Sequence, residues 1–309
     1  MADSVLAQTV FGLRFQGPVL LASGTCGYGQ EYADLIPLDE LGGLVTKAVS
    51  LEPRAGNPTH RIAETPGGMI NAIGLANVGL ARFRVEKLPW LRDNLRRAQV
   101  LVNVVGDSMD DFAAVVAGLD DEEGVAGYEI NVSCPNVKDG TLYGTDEQAL
   151  SELVARIRRE TERPLIIKLT PNVPDIRLYA RVCEEAGADG LSTINTFPGM
   201  LIDVERRRPV IGNVSGGVSG PSILPMGVYL TWMAASSVSV PVIGIGGIRS
   251  AADALQYILA GASLVQIGTA LFVDPAVAAD VTGGIEEFVL QQAERGLAEL
   301  VGSLEIPSA

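Results

Sequence analysis

Short apolar runs alternate with longer amphipathic stretches along nearly the whole chain. The runs are rich in Val, Ile and Leu and lack alternating polar positions, which is typical of strands buried on both faces of a parallel sheet. Turn-forming residues bound most of them. The eight predicted strands cover residues 19–22, 43–48, 100–105, 128–132, 165–169, 190–194, 240–245 and 264–267.

The stretches between these strands have the periodicity of helices. Ser108, Thr145 and Ser250 are predicted to begin helices, and Gly187 is predicted to end one. Eight strand–helix units predict an α/β fold, a closed (β/α)8 TIM barrel, in a single domain that covers residues 1–309. The predicted helices lie near residues 31–41, 77–87, 108–118, 146–161, 175–187, 223–238, 250–261 and 284–301.

Three segments depart from this repeat. Residues 5–16 predict an N-terminal hairpin that turns at Gly12 and caps one end of the fold. Residues 51–75 and 196–220 follow the carboxyl ends of strands and are too long for simple strand-to-helix loops. We therefore expect these two inserts to form walls or lids over the C-terminal mouth of the barrel.

Composition and charge narrow the classes of function. The chain has 309 residues and a formal net charge of −14, which argues against a nucleic-acid partner. Its three widely spaced cysteines form no disulfide framework, and no apolar run reaches the length of a membrane span. A single histidine, His60, and the lack of a Cys-x-x-Cys pair predict no metal site. We expect a soluble, cytoplasmic protein that does not bind a membrane.

Polar and glycine residues close the apolar runs. In a barrel the ends of all strands converge on one mouth, although a single Asn or Gly there is also ordinary turn chemistry. A lysine that points into such a mouth must be solvated or face an anion. The closing residues are Ser23–Gly24, Lys47, Asn103, Asn131, Lys168, Asn195, Gly246–Gly247 and Gly268–Thr269.

The glycines after the last two strands predict a phosphate site. Glycine lets backbone N–H groups approach an anion closely, and each glycine pair precedes a predicted helix N-terminus. Loops after the seventh and eighth strands form the recurrent phosphate site of this fold. The spacing is not the dinucleotide fingerprint, because Arg249 stands where the third glycine would fall.

Amide and thiol side chains form a second pattern. Asn71 lies in the first insert, and together with the strand-end asparagines it suits a planar ligand with amide groups, such as a pyrimidine dione. Cys134 falls on the loop after the fourth strand, where it is a candidate acid/base or nucleophile. The alternatives are turn usage for the asparagines and a small buried apolar role for the cysteine.

With these residues in view, the chain resembles the dihydroorotate dehydrogenases, the FMN-containing barrel enzymes of pyrimidine synthesis. Cysteine rather than serine at position 134 is similar to class 1. The Asn-Val-Lys at 136–138 and the Asn-Ala-Ile-Gly-Leu at 71–75 are together similar to class 1B. The matching segments are 22–25, 46–48, 52–54, 56–58, 71–75, 131–136, 195–196, 216–217, 219–221 and 244–247.

The resemblance implies a role for each matching residue. Cys134 would be the base that removes the C5 proton of dihydroorotate while a hydride passes from C6 to N5 of FMN, and residues 135–145 would form a lid. The substrate would be held by Lys47, Asn71, Ala72, Ile73, Gly74, Leu75, Asn131, Asn195 and Thr196. FMN would be held by Ser23, Lys47, Ala48, Asn103, Asn131, Lys168, Ile194, Gly220, Gly246, Gly247, Gly268 and Thr269.

The electrons must then leave the flavin. Class 1B resemblance implies a homodimeric core with an electron-transfer subunit, in a heterotetramer, whose FAD and [2Fe–2S] cluster pass electrons to NAD⁺. One alternative is a class 1A enzyme that reduces fumarate without a partner. Another is a non-redox barrel, a lyase or isomerase, that uses the phosphate site for its substrate.

Overall fold

Eight parallel strands close into a barrel and follow one another around it in chain order. The computed structural model describes residues 4–133, 143–292 and 296–307. The predicted (β/α)8 barrel is confirmed, and each observed strand overlaps its predicted range. In chain order the barrel strands are β1 (Val19–Leu21), β2 (Gly43–Val45), β3 (Gln99–Val104), β4 (Gly127–Asn131), β5 (Leu165–Leu169), β6 (Gly190–Thr193), β7 (Val242–Ile245) and β8 (Ala262–Ile267).

Helices surround the barrel. A π-helical turn, Phe83–Lys87, joins the first two of them. In the described chain the helices are α1 (Gly79–Arg82), α2 (Leu88–Asn94), α3 (Met109–Ala117), α4 (Glu147–Arg158), α5 (Ile176–Glu185), α6 (Leu224–Ala235), α7 (Ala251–Leu259), α8 (Val277–Gln291) and α9 (Leu297–Leu300). No helix in the described ranges is both long enough and apolar enough to span a bilayer.

Three predicted helices differ from the structure, and the one predicted near 77–87 continues without a break to Asn94. The stretch 31–41 forms two short 3₁₀ turns, Gln30–Tyr32 and Leu38–Glu40, because Pro37 between them cannot continue a helix. The last long helix begins at Val277, well before the predicted start at 284. Gly284 lies inside this helix. A Cβ at position 284 would stand only 2.6 Å from the Cβ of Ala251 on α7, so glycine allows the two helices to pack closely.

Side-chain caps fix four of the nine helix starts in the described ranges. The hydroxyls of Ser108 and Ser250 accept hydrogen bonds from the first turns of α3 and α7, as predicted. The predicted cap at Thr145 is wrong by one residue, since the carboxylate of Asp146 accepts from the backbone of Ala149 at 2.8 Å. Gly187, with φ of 100°, follows the end of α5 as predicted.

The N-terminal hairpin closes the bottom of the barrel. Strands Gln8–Val10 and Leu13–Phe15 pair antiparallel, as predicted. The side chains of Val10 and Phe15 pack with Leu20 and other inward-facing residues in a core inside the barrel. The ring of Phe11 fills the space beside the first residue of β6, where a Cβ on Gly190 would lie 2.1 Å from it.

The two inserts pair with each other in a four-stranded antiparallel sheet. Its strand order is Phe197–Gly199, Gly216–Ser219, Gly68–Asn71 and Ile62–Thr65. The hydroxyl groups of Ser219 in this sheet and Thr269 just past β8 are 2.8 Å apart. The sheet therefore stands as a wall at the C-terminal mouth, where the sequence predicted one.

Candidate active site

A buried carboxylate lies inside the barrel, one layer above its apolar core. Glu129 on β4 has no exposed surface. Its Oε1 accepts from Nδ2 of Asn103 at 2.7 Å and lies 3.5 Å from Nζ of Lys168. Its Oε2 accepts from Oγ of Ser192 and Nε2 of Gln266, each at 2.8 Å. Donors from four other strands thus converge on one side chain.

This cluster balances the charge of the interior. Lys168 is 7% exposed, and Glu129 is the carboxylate that neutralises it. A buried charge is tolerated when it is paired and fully hydrogen-bonded, and both conditions hold for Glu129. Glu129, Ser192 and Gln266 were not predicted from the sequence. The signal was present, because Glu129 interrupts an apolar strand and a charge at such a position requires a partner.

Asn103 and Gln266 each have a buried oxygen without a partner among the described residues. Their amide nitrogens donate to Glu129, which leaves Oδ1 of Asn103 and Oε1 of Gln266 as acceptors. Buried polar atoms are nearly always hydrogen-bonded, so an orphan acceptor indicates a ligand or water that completes the site. Asn103 was predicted from the sequence to contact a cofactor.

Two predicted amide residues meet directly at the mouth. Asn131 is the last residue of β4, and Lys168 is its neighbour in the ladder with β5. Nδ2 of Asn195, just past β6, donates to Oδ1 of Asn131 at 3.1 Å. The Asn195 side chain in turn accepts from the backbone N–H of Thr196 at 2.8 Å. Residues 131, 195 and 196 therefore form one hydrogen-bonded group beside Lys168.

The insert sheet brings Asn71 to the same region. Asn71 pairs with Gly217 in the antiparallel ladder, and its Nδ2 donates to the Gly217 carbonyl at 3.3 Å. On the other side, a Cβ on Gly217 would lie 2.1 Å from Oγ1 of Thr196. Only glycine allows this approach, so Gly217 joins Asn71 to Thr196. Gly217 was not predicted from the sequence to belong to the site.

Residues Ala72, Ile73, Gly74 and Leu75 fold back on their own insert. The backbone N–H of Ala72 donates to the Arg61 carbonyl, and the Ile73 carbonyl accepts from the N–H of Asn57. The segment turns through positive φ at Gly74 and Leu75. Its predicted contact with substrate stays a prediction.

Lys47 follows β2, and its backbone N–H donates to the Gly27 carbonyl at 2.7 Å. Its side chain forms no hydrogen bond or ion pair with any residue in the described ranges. Partial burial lowers the pKa of Lys47, and the positive charge of Arg61 adds to the effect, while Glu31 opposes it. An anion beside this ammonium group would relieve its poor solvation. The next residue, Ala48, accepts from the Tyr28 hydroxyl at 3.2 Å.

Glycine N–H groups form a cradle where β7 and β8 end. The N–H groups of Gly246, Gly247 and Gly268 donate to no oxygen of the residues that the structure describes. Gly247 adopts φ of 75°, and a Cβ there would lie 3.0 Å from the Gly220 carbonyl. Free N–H groups at adjacent strand ends attract an anion, which fits the predicted phosphate site. Thr269 adds the hydroxyl that contacts Ser219.

The remaining predicted residues flank these groups. Ser23 lies two residues past β1, and Ile194 follows β6 with its N–H donating to the Ile245 carbonyl at 3.3 Å. Ile194 is buried. Both lie at the carboxyl ends of strands, as predicted, and their contact with a cofactor stays a prediction.

The three cysteines differ sharply. Cys134, the predicted base, lies outside the described residues, as do residues 135–142 of the predicted lid. Cys26 is buried, and burial raises its pKa to about 12, with a further contribution from Glu31. Burial also raises the pKa of Cys183, a buried residue of α5. Neither buried thiol is suited to proton transfer near neutral pH.

The groups at the mouth match the chemistry of FMN. Free N–H groups of Gly246, Gly247 and Gly268 suit its phosphate, while the Lys168 ammonium and the orphan oxygen of Asn103 suit a polar, electron-accepting ring. In the described ranges, no group of three or more His, Cys, Asp or Glu side chains is placed to hold a metal ion. Fold and site together define a (β/α)8 barrel with a charged mouth and backbone N–H groups that suit a phosphate.

Comparison with known proteins narrows this class. The family model for dihydroorotate dehydrogenase matches residues 5–289. A relative from Trichlorobacter lovleyi, "Dihydroorotate dehydrogenase B (NAD(+)), catalytic subunit", is 52% identical over 95% of this chain and 96% of its own length. A relative of the same name from Geotalea daltonii is 48% identical over 99% of this chain and all of its own length. This chain therefore belongs to the dihydroorotate dehydrogenase family, which is flavin-dependent.

A solved structure agrees with the fold. The crystal structure of DHODH from Eimeria tenella in complex with ferulenol superposes with a TM-score of 0.82. The two chains are 25% identical, and the match covers 98% of this chain and 89% of the other. The barrel with its mouth-side inserts is thus similar to a known dihydroorotate dehydrogenase over nearly its whole length.

Proposed function

We propose that this chain oxidises (S)-dihydroorotate to orotate in pyrimidine biosynthesis, with FMN as its bound cofactor. The observation that carries the proposal is the hydrogen-bonded Asn131–Asn195 pair next to the buried Lys168, in a member of this family. When bound, FMN supplies the acceptor for the hydride that leaves C6 of the substrate. Every other step relies on side chains of the protein.

Lys168 and the glycine cradle would hold the cofactor. The Lys168 ammonium has one described partner, Glu129, so further N–H donors are free to meet oxygen or nitrogen atoms of the ring. Its positive charge stabilises negative charge that develops on the ring during reduction. The N–H groups of Gly246, Gly247 and Gly268 would bind the phosphate, and Ser23, Ala48, Asn103, Ile194, Gly220 and Thr269 would complete the site.

The amide group at the mouth would bind the pyrimidine. Dihydroorotate carries two ring carbonyls, two N–H groups and a carboxylate, and asparagine offers one donor and one acceptor side. The polar edge of the ring would form hydrogen bonds with Asn71, Asn131, Asn195 and Thr196. Lys47 has no described partner for its ammonium and a lowered pKa, so it would bind the substrate carboxylate. Ala72 to Leu75 would shape the wall.

Cys134 would take the proton from C5. A carbon acid next to a carbonyl needs a base held against it, and the other two cysteines are buried with raised pKa values. We expect Cys134→Ala to keep FMN binding and to slow flavin reduction by dihydroorotate about 10²- to 10⁴-fold. Stopped-flow absorbance measures this rate, and Cys26→Ala is the matched control. An unchanged rate in Cys134→Ala would refute the assignment.

We propose a class 1B enzyme that works with a partner. The support is the name of the relatives, "Dihydroorotate dehydrogenase B (NAD(+)), catalytic subunit". The partner subunit would carry FAD and a [2Fe–2S] cluster and pass electrons to NAD⁺, in a cytoplasmic heterotetramer with a homodimeric core. The test is a steady-state assay of the isolated chain with each acceptor. Rapid fumarate reduction, with no NAD⁺ reduction on addition of an iron–sulfur flavoprotein subunit, would remove this part of the proposal.

A further inference from the structure

Glu129 imposes a direction on the amide side chains around it. An ionised carboxylate accepts hydrogen bonds and donates none, so each amide beside it must present its nitrogen. Nδ2 of Asn103 and Nε2 of Gln266 both do so, at 2.7 and 2.8 Å. Their oxygens are consequently turned away from Glu129, and both are buried without a described partner. With a neutral side chain at position 129, the amides of Asn103 and Gln266 would no longer be forced to present their nitrogens to it.

Glu129 also determines the charge of the same cluster. Its Oε1 lies 3.5 Å from Nζ of Lys168, and both side chains are buried. Because screening by water is weak at such depth, the carboxylate offsets part of the positive field of Lys168. Ser192 and Gln266 donate to the other oxygen, Oε2, and hold the carboxylate in place.

We propose that Glu129 is a positioning residue that fixes Asn103 as an acceptor toward the flavin and sets the net charge beside Lys168, thereby lowering the flavin midpoint potential. This inference rests on the proposed binding of FMN. It concerns a residue that contacts Lys168 and Asn103, which are proposed to touch the cofactor. Without Glu129, the buried Lys168 would strongly stabilise the reduced, anionic flavin. The reduced flavin would then pass its electrons on less readily.

The test is Glu129→Gln in the FMN-loaded protein. Sulfite adds to flavin and places negative charge on the ring, so its dissociation constant reports the local charge without turnover. We expect Glu129→Gln to bind sulfite about tenfold more tightly, because the loss of one buried negative charge favours negative charge on the nearby ring. The same factor corresponds to a rise of about 30 mV in the two-electron midpoint potential, measured by dye equilibration.

Two further variants separate charge from packing. Ser192→Ala removes one hydrogen bond from Glu129 without a change of charge, and we expect its sulfite affinity to stay within about twofold of wild type. Glu129→Asp keeps the charge but shortens the side chain, and we expect it to weaken FMN binding about threefold or more while midpoint potential changes little. If Glu129→Gln does not fold, Glu129→Asp decides, and wild-type FMN affinity in that variant overturns the inference.

The outcomes distinguish this inference from the proposed function. If the wild-type chain takes up no FMN, the proposed function and the inference about Glu129 are both wrong. If the wild type binds FMN and oxidises dihydroorotate while folded Glu129→Gln keeps wild-type sulfite affinity and potential, the inference alone is wrong. Tighter sulfite binding in Glu129→Gln but not in Ser192→Ala supports it.

Discussion

Replacement of Lys168 by methionine tests the buried charge pair directly. Methionine keeps much of the length and apolar volume of lysine but removes the ammonium group. Glu129 then remains as a buried carboxylate, with no exposed surface and no charged partner within the described chain. The three neutral donors from Asn103, Ser192 and Gln266 are left in place.

The size of the effect follows from these contacts. Removal of one partner from a buried ion pair typically costs about 3–5 kcal/mol, because the remaining charge is uncompensated. The remaining hydrogen bonds to Glu129 stabilise its charge, so we expect a loss near the lower limit, about 3 kcal/mol. The double variant Lys168→Met/Glu129→Gln contains no buried charge, and we expect it to recover about 2 kcal/mol of that loss.

The assay is urea unfolding of the flavin-free protein, followed by the fluorescence of Trp90 and Trp232. The control is Lys87→Met, whose ammonium group lies 5.7 Å from the centre of the Tyr28 ring and 2.8 Å from Oε1 of Gln30. We expect this control to lose about 0.5–1 kcal/mol. A loss below about 1 kcal/mol in Lys168→Met, or no recovery in the double variant, would show that Lys168 does not compensate the buried charge of Glu129.

Three further predictions follow from the site. Gly247→Ala would strain a residue at φ of 75° by about 1–2 kcal/mol, so we expect about tenfold weaker FMN binding by fluorescence titration. Asn195→Ala would break the 3.1 Å bond to Asn131, and steady-state kinetics should show KM for dihydroorotate raised about tenfold with FMN affinity retained. Because burial raises the pKa of Cys26 to about 12 and that of Cys183 as well, neither thiol should react with iodoacetamide near pH 8 until the protein is unfolded, as measured by mass spectrometry.

The strand pattern was readable because each barrel strand is buried on both faces. Continuous apolar runs separated by helical stretches are compatible with few folds, and the chain order of strands around the barrel follows from that repeat. Helix boundaries were predicted less well where a glycine allows two helices to pack closely. Gly284 is a helix breaker by propensity, yet it lies within α8 because it contacts Ala251 closely.

The inward-facing polar layer was harder to predict. Lys168 and Asn103 were recognised because they stand near the ends of apolar runs, but Glu129 lies inside one and was passed over. Its partners Ser192 and Gln266 are separated from it by 63 and 137 positions in the sequence, so only closure of the barrel reveals the network. Likewise, Gly217 gains its role from the pairing of two inserts that are distant in the chain.

A single-turnover reaction tests directly whether this protein oxidises dihydroorotate with FMN. The isolated FMN-loaded chain is mixed with (S)-dihydroorotate in the absence of oxygen, and flavin absorbance and orotate are measured together. We predict that the yellow absorbance is lost and that orotate forms in proportion to the flavin reduced. A flavin that stays oxidised with saturating dihydroorotate, in protein that is folded and fully loaded, would contradict it.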